Sequence, residues 1–557
     1  MRAALLMAAS LGLAFMFSAE PQGAIRFKNI ASAAGIHARM RCGGAEKQRI
    51  PEANGSGAAW LDYDRDGNLD LLIVNGSDIE SLKRILGGEI PPPRDGSLYL
   101  YRNTGKGRFE DVTAQAGLSN PYWGTGVAVA DFNNDGYPDI LVTSIGRDLL
   151  FRNNRNGTFT EVSQIAGLSR TLAWHTGAAF GDIDGDGKLD LYVAGYVSLD
   201  ELHLDQAPGV CLYRNVPGFC GPKGLKGAPD ILYHNNGNGT FTDVTNAAGV
   251  KDADLRHGFT VVFDDFNQDG KIDIFVANDS DPNYLYLNQG GGKFKDSGLT
   301  SAVAFNADGQ TQANMGVAVG DYDNDHLPDI LTTTFSEDYF PLFHQRGGGL
   351  FEDVSALAGL QTATSHWVGW ACGFVDFDND GLQDLWMANG HVYPKADMLP
   401  GTGYHQPVSI FANRGGRFVR VPEALSEDGR QSYRGGAAGD FLNNGKLGLV
   451  VLPIDGAPLL LQNVSISAFH WAGFALSSQS GNRDAIGAQV RIDYCGKTQA
   501  ASLRNGGSYI SVDDPRIHFG LGMCAGVDRV SVRWPSGKQQ VLEHVAPDRY
   551  VEIKERL

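Results

Sequence analysis

Asp182-Ile-Asp184-Gly-Asp186-Gly187-Lys188-Leu-Asp190 places carboxylates at positions 1, 3, 5 and 9 of a nine-residue loop, with glycine at position 6. One such loop is weak evidence, because Asp and Gly are ordinary turn formers. This one recurs in register, as Asp62-Tyr-Asp64-Arg-Asp66-Gly67-Asn68-Leu-Asp70, Asp131-Phe-Asn133-Asn-Asp135-Gly136-Tyr137-Pro-Asp139 and Asp265-Phe-Asn267-Gln-Asp269-Gly270-Lys271-Ile-Asp273. Asp321-Tyr-Asp323-Asn-Asp325-His326-Leu327-Pro-Asp329 and Asp376-Phe-Asp378-Asn-Asp380-Gly381-Leu382-Gln-Asp384 complete six intact copies. A seventh, Asp440-Phe-Leu442-Asn-Asn444-Gly445-Lys-Leu-Gly448, has lost oxygen at positions 3 and 9.

Around each loop the same units return: a Gly-rich apolar strand, the loop, a second apolar strand, a third ending in Asn, then a short strand opening on Phe. Gly126-Val-Ala-Val-Ala-Asp131 and Asp139-Ile-Leu-Val-Thr143 show the two-residue alternation of strands. Successive loops begin 51 to 83 residues apart, so a core of roughly 50 residues carries variable insertions. Four short strands at that period predict an all-β, seven-bladed β-propeller. The Phe strand appears six times after the loops, from Phe109-Glu-Asp-Val to Phe418-Val-Arg-Val, and once ahead of them all, as Phe27-Lys-Asn-Ile30. The N-terminal strand is therefore expected to complete the last blade and close the ring, removing exposed sheet edges. An open solenoid would need caps and leaves the displaced strand unexplained.

The loops predict metal. Oxygen at positions 1, 3, 5 and 9, with the main-chain carbonyl of position 7 (Asn68, Tyr137, Lys188, Lys271, Leu327 and Leu382), is a hard donor set that suits Ca²⁺ rather than zinc. The six loops hold 22 Asp side chains at those four positions, which repel one another until a divalent ion reverses the sign. About six structural Ca²⁺ ions are expected, with the seventh loop empty. His326 in place of the turn glycine is expected to reshape its loop without removing a ligand. The flanks are strands and position 12 lacks Glu, which excludes an EF-hand.

A formal charge of −18, with no basic patch, argues against nucleic acid. The run from Met1 to Ala19, one Arg and then apolar residues, reads as a signal peptide; it is too short to span a bilayer comfortably. Export to the periplasm or the medium follows, with no membrane span in the mature chain. Cys211 and Cys220 bracket a short Gly/Pro loop and form the expected disulfide, with Cys495 and Cys524 as a second pair.

Residues from about Ser465 onward read as strands Ala488 to Tyr494, Thr498 to Leu503, Arg529 to Trp534 and Gln540 to Val545, a compact β-sandwich-like domain. They carry Asn482-Arg-Asp-Ala-Ile-Gly-Ala-Gln-Val490, Gly506-Gly-Ser-Tyr-Ile-Ser511, His518-Phe-Gly-Leu-Gly522 and Val532-Arg-Trp-Pro-Ser-Gly537. With the loops, these motifs make the chain resemble the family in which FG-GAP/VCBS-type propeller repeats precede an ASPIC/UnbV domain. The family usually has Gly where Ala485 stands. The resemblance covers almost the whole mature chain and implies the architecture 1–19 signal peptide, 20–464 propeller and 465–557 C-terminal domain. His518 and Trp534 read as structural.

Nucleophile-elbow, phosphate-loop and zinc-hydrolase motifs are absent. Outside the loops, polar and aromatic residues gather where first strands begin (Trp123, His175, His257, Trp367, Arg434) and second strands end (Asp279, His391). That is the face opposite the loops, and the insertions at about 78–96 and 196–229 should rise from it. The sequence thus predicts a binding or scaffold module whose mouth takes a glycan or protein partner. The alternative, a metal-stabilised carbohydrate-active lyase or dehydratase, requires His175, His257, Asp279 or His391 to converge.

Overall fold

A computed structural model describes residues 25–556, apart from 90, 91, 93–95, 169, 170 and 426–428. The predicted signal peptide lies outside these residues. The described chain is predominantly antiparallel β-sheet in discrete sheets.

Every Asp loop joins two antiparallel strands in one register. Position 9 opens the second strand and pairs with the residue just before position 1: Leu61↔Asp70, Ala130↔Asp139, Gly181↔Asp190, Asp264↔Asp273, Gly320↔Asp329, Val375↔Asp384 and Gly439↔Gly448. Third and fourth strands follow, as in Leu98–Asn103 with Phe109–Asp111 and Val408–Asn413 with Phe418–Arg420. The last unit takes its fourth strand from the other end of the chain. Phe27–Asn29 pairs antiparallel with Leu459–Asn463, Phe27 opposite Asn463, as Phe109 is opposite Asn103. First strands of neighbouring units lie side by side, and Tyr433–Gly439 of the seventh lies against both Gly369–Val375 of the sixth and Ala58–Leu61 of the first.

The Asn that ends the third strand has a physical role. Its backbone N–H donates to the position-9 carboxylate of its own unit, as from Asn153 to Asp139 Oδ1 at 2.7 Å. Its side-chain amide donates to the position-2 carbonyl of the preceding unit: Asn153 to Tyr63, Asn235 to Phe132, Asn288 to Ile183, Asn413 to Tyr322 and Asn463 to Phe377. Asn103 of the first unit reaches Phe441 of the seventh in the same way, at 2.9 Å.

The C-terminal part has two sheets. Ile517–Gly522, His470–Ser477 and Tyr550–Lys554 form one, and Lys497–Ser502, Gln489–Tyr494, Val527–Arg533 and Gln539–Val545 the other. A common core between them includes Phe474, Ile492, Phe519, Val530 and Trp534. Both expected disulfides, Cys211–Cys220 and Cys495–Cys524, are formed, while Cys42 and Cys372 are buried thiols.

This C-terminal part rests on the ends of the strands where the Asp loops lie. A Cβ on Gly445 would overlap the Trp471 indole, and one on Gly381 would lie 2.9 Å from the Tyr494 hydroxyl. His326 stands at φ +73° and still donates its N–H to Asp321 Oδ2 at 2.9 Å, as a glycine would. Its ring meets Thr498 Oγ1 of the C-terminal part at 2.8 Å, which accounts for a side chain at that position. From the same part, residues 504–512 pass between the first strands. Asn505–Gly506 pairs with Gly258–Asp264, Asn505 Nδ2 donates to Val129 O at 2.8 Å, and Trp60 N–H donates to Val512 O at 3.0 Å. Gly506 has φ +86°, and a Cβ there would overlap the Val261 carbonyl. At the far end, Tyr509 is fully buried against Trp370 and Phe259, with its hydroxyl donating to Asn54 O at 3.0 Å.

Candidate functional site

Two places concentrate chemistry, at opposite ends of the strands. At the loops, the position-1 carboxylate is oriented by the turn itself. Asp182 accepts from the N–H groups of Asp186 (3.1 Å) and Gly187 (2.9 Å), and Asp265 accepts from those of Asp269 and Gly270. The other acidic positions then converge: ligand atoms of Asp62, Asp64 and Asp66, of Asp182, Asp184 and Asp190, and of Asp321, Asp323 and Asp329 lie within 4.8 Å of one another. The position-9 carboxylates are buried. Burial pushes Asp70, Asp190 and Asp273 up to about 8 and Asp139 to about 9, and raises Asp384 well above the carboxylate range. Asp139 Oδ2 and Asp378 Oδ2 are buried with no hydrogen-bond partner. Open oxygens, crowded acids and raised affinity for protons are the properties of a cluster that favours a cation. The clusters can hold a divalent metal.

Sequence reasoning missed two imidazoles at these loops. His234 Nδ1 lies 3.0 Å from Asp190 Oδ1, and His344 Nδ1 lies 2.9 Å from Asp329 Oδ1. Both join the acidic clusters of their loops. Each occupies the third-strand residue just before the terminal Asn or Gln, a position that the repeat register identifies. The hydrogen bond that His344 donates to the Asp329 carboxylate raises the His344 pKa.

At the seventh loop the C-terminal part supplies a fixed cation. Arg516 donates to Asn443 Oδ1 (2.6 Å) and Asp440 O (3.0 Å), and stacks on Tyr550. His518, which the sequence reads as structural, sits at the sixth loop with Nε2 2.8 Å from Asn379 Oδ1. Burial lowers its pKa to about 4, so the ring is neutral near pH 7. Trp534 is buried in the C-terminal core.

At the opposite strand ends lies a cavity of about 300 Å³, with Asn54, Tyr196, Lys223, Asp279, Trp370 and Tyr393 in its wall. The insertion expected on this face forms one side: its Phe219 packs on Tyr393 with ring centres 5.0 Å apart, and its Tyr213 packs on Phe335 at 5.3 Å. Arg49 ties the insertion down through the carbonyls of His203, Leu204 and Gln206. The Asn54 amide nitrogen is buried without a partner.

Of the seven mouth residues read from the sequence, Asp279 lines this cavity. Its carboxylate accepts from Tyr196 Oη at 2.8 Å, and its N–H donates to His257 O. His257 lies beside it, with Nδ1 2.8 Å from Asp281 and its ring edge-on to Tyr196. His175 is buried and paired with Asp148 at 2.5 Å. His391 is enclosed by Tyr213, Phe335 and Tyr393, and burial lowers its pKa to about 3. Arg434 is also enclosed, stacking on Trp370 and donating to the carbonyls of Ala53, Gly390 and Tyr433. Trp123 is buried, and Trp367 is covered by Arg420 and packs on Phe411. The structure thus brings His257 and Asp279 together, sets Arg434 against the His391 carbonyl (3.4 Å), and holds His175, Trp123 and Trp367 apart from both pairs. Asn54, Tyr196, Trp370 and Tyr393 were not singled out for this wall, because only the insertion and the plug from the C-terminal part bring them to it.

Comparison with known proteins agrees with this layout. Residues 478–556 match the model of the ASPIC and UnbV family, and 85–142, 131–193 and 265–332 match that of the FG-GAP-like repeat. Cartilage acidic protein 1 of Mus musculus is 25% identical over 90% of this chain and 73% of its own length. The Homo sapiens protein of that name is 25% identical over 86% of this chain and 69% of its own. Among solved structures, a lectin of Agrocybe aegerita that recognises non-reducing terminal N-acetylglucosamine aligns at a TM-score of 0.35 and 17% identity, over 72% of this chain and 87% of that one. Agreement that low carries no functional argument. No helix among the described residues is long and apolar enough to cross a membrane. Built of FG-GAP-like repeats followed by an ASPIC/UnbV domain, the chain is homologous to the cartilage acidic protein family.

Proposed function

We propose that the protein is an exported, calcium-loaded β-propeller that acts by binding a glycan or protein partner at the mouth opposite its metal loops. The seven units are the blades, Phe27–Asn29 seals the last of them, and the two-sheet part from about residue 465 is a separate sandwich-like domain. The unbroken lateral order of first strands supports the closed wheel, as does the Asn103 bond from first unit to seventh. The six intact loops take Ca²⁺: oxygen donors dominate every cluster, and such sites fill at extracellular calcium of about 10⁻⁴ to 10⁻³ M. The metal holds first and second strands together and adds its binding energy to folding. The loop side chains that would hold it are those at positions 1, 3, 5 and 9.

The observation that carries the binding reading is the mouth cavity. Trp370, Tyr196 and Tyr393 offer aromatic faces, while Asp279, Lys223 and the unpartnered Asn54 amide offer directed polar groups. That mixture suits sugar hydroxyls and stacked rings or a polar peptide. Binding is favoured over the lyase or dehydratase reading because only His257 and Asp279 of the four candidates come together, while His175 is buried with Asp148 and His391 lies among aromatic rings. The test is a glycan and protein-partner screen of the purified chain, repeated with Tyr393→Ala and Lys223→Ala. A ligand found with wild type and lost in both variants places it at the mouth. A ligand retained by both places it elsewhere.

A further inference from the structure

We propose that the cation of the second loop is shared between the propeller and the C-terminal domain, with Asp484 as an additional carboxylate at that site. Loading the loop and docking the domain then strengthen each other. The proposal rests on reading the loops as cation sites.

The second loop differs from its five intact counterparts in one set of bonds. In those five, the position-2 N–H donates to Oδ2 of the position-9 Asp: Tyr63 to Asp70, Ile183 to Asp190, Phe266 to Asp273, Tyr322 to Asp329 and Phe377 to Asp384, at 3.0–3.4 Å. In the second loop Phe132 N–H turns to Ala130 O, at 3.1 Å. Asp139 Oδ2 is thereby left without a partner, in a residue only 1% exposed. A released oxygen of a buried carboxylate needs a proton or a cation.

The C-terminal domain arrives at this entrance. Asn482 N–H donates to Gly187 O at 2.5 Å, Arg483 N–H to Asn134 Oδ1 at 3.1 Å, and Asp131 N–H to Asp484 Oδ2 at 2.6 Å. The carboxylates of Asp131, Asp135 and Asp484 are all close enough to repel that of Asp139. The nearby guanidinium groups stand at the rim: Arg65 bonds the Gly136 carbonyl, Arg155, 57% exposed, pairs with Asp135, and Arg483 of the docking segment reaches Gly136, where a Cβ would lie 3.3 Å from its Nη1. Docking therefore adds a fourth carboxylate to a site that already has three, with Arg483 at its edge.

The seventh loop provides the control within the same molecule. There Asp514 accepts from the N–H of Asp440 at 3.2 Å, in the position that Asp484 holds at the second loop. That loop has lost its oxygens at positions 3 and 9, and the domain brings Arg516 with Asp514, their side chains 2.7 Å apart. Where the ligands are gone the domain supplies its own cation. At the second loop, where they are intact, it supplies a carboxylate and leaves the cation to solution. Because coupling between two binding events is reciprocal, a docked Asp484 raises cation affinity by the factor by which the cation favours docking.

The experiment is Ca²⁺ titration of the full chain, by native mass spectrometry and calorimetry, with Asp484→Asn, Asp484→Glu and Asp139→Asn. Asparagine keeps an acceptor for the Asp131 N–H, so a purely structural cap would survive that change. Expected are loss of one ion in Asp139→Asn, an affinity about tenfold weaker at one site in Asp484→Asn, and recovery in Asp484→Glu. Hydrogen exchange across 482–484 and 504–512 should rise in Asp484→Asn, and in wild type on chelation. An unchanged titration for Asp484→Asn, with one ion lost in Asp139→Asn, overturns the shared site alone. If Asp139→Asn also keeps every ion, the reading of the second loop as a cation site falls, and the proposal with it.

Discussion

The two ends of the strands were built from the same repeats and have opposite fates. At the loop end, five of the six acidic clusters and the depleted seventh loop meet the chain's own C-terminal part: Asn482 to Asp484 reach the second and third loops, Arg533 the fourth, Thr498 the fifth, His518 the sixth and Arg516 the seventh. At the other end the aromatic and polar wall of the cavity has no comparable cover, only the insertion tied by Arg49. The end with the strongest charge signal is therefore occupied with holding the molecule together. Space exists at both ends: cavities of about 400 and 810 Å³ lie between the loops and the C-terminal part, and the quieter end holds the one of about 300 Å³. A residue from the first reaches the second, since Tyr509 passes between the first strands to hold Asn54 by its carbonyl.

If the loop end is structural, removing its metal should be the largest perturbation available. With free calcium at about 100 times Kd, each ion adds about 2.7 kcal/mol, so chelation should lower Tm by tens of degrees or prevent folding. Native mass spectrometry should count six ions, and fewer than five would break the assignment. Next in size is deletion of Phe27 to Gly35, which strips the fourth strand from the seventh unit and leaves Leu459–Asn463 an unpaired edge. Aggregation or a fall in Tm of 10 °C or more, on the order expected for about 2–4 kcal/mol in a chain of this size, should follow; an unchanged melt would refute closure by this strand. Gly445→Ala tests the cover itself, because its methyl would overlap Trp471. A cost of about 1–3 kcal/mol is expected, with the cation count held at six, since the seventh loop contributes none. The smallest effect on stability belongs to the mouth. Lys223→Ala should leave Tm and ion count unchanged while reducing ligand affinity, and a drop in Tm beyond a degree or two would show that the cavity wall is structural as well.

Strand order and loop register were legible because they are local and repeated. Backbone alternation, an Asp at each of four loop positions and an Asn at each third-strand end recur seven times with few departures, so errors at one copy are corrected by the others. His326 shows the limit: as a sequence departure it reads as strain, and its reason, contact with Thr498, is 172 residues away. The mouth was legible only as a face. Repeat register says which end of a strand a residue occupies, but not whether its side chain enters the cavity or the packing beneath it, and of His175, His391 and Arg434 none reaches the cavity wall.

By itself, then, the sequence determined the repeat, the donor set of the loops and the partner of the N-terminal strand, because each depends on spacing along one chain and on backbone pairing. Only the tertiary structure decided that the C-terminal part covers the loops, that Gly506 to Ser511 fills the space between the first strands, and that Asp484 meets the second loop. These depend on which surfaces of regions far apart in the chain fit together, and shape and charge complementarity between residues 353 apart leaves no periodic trace in the order of amino acids.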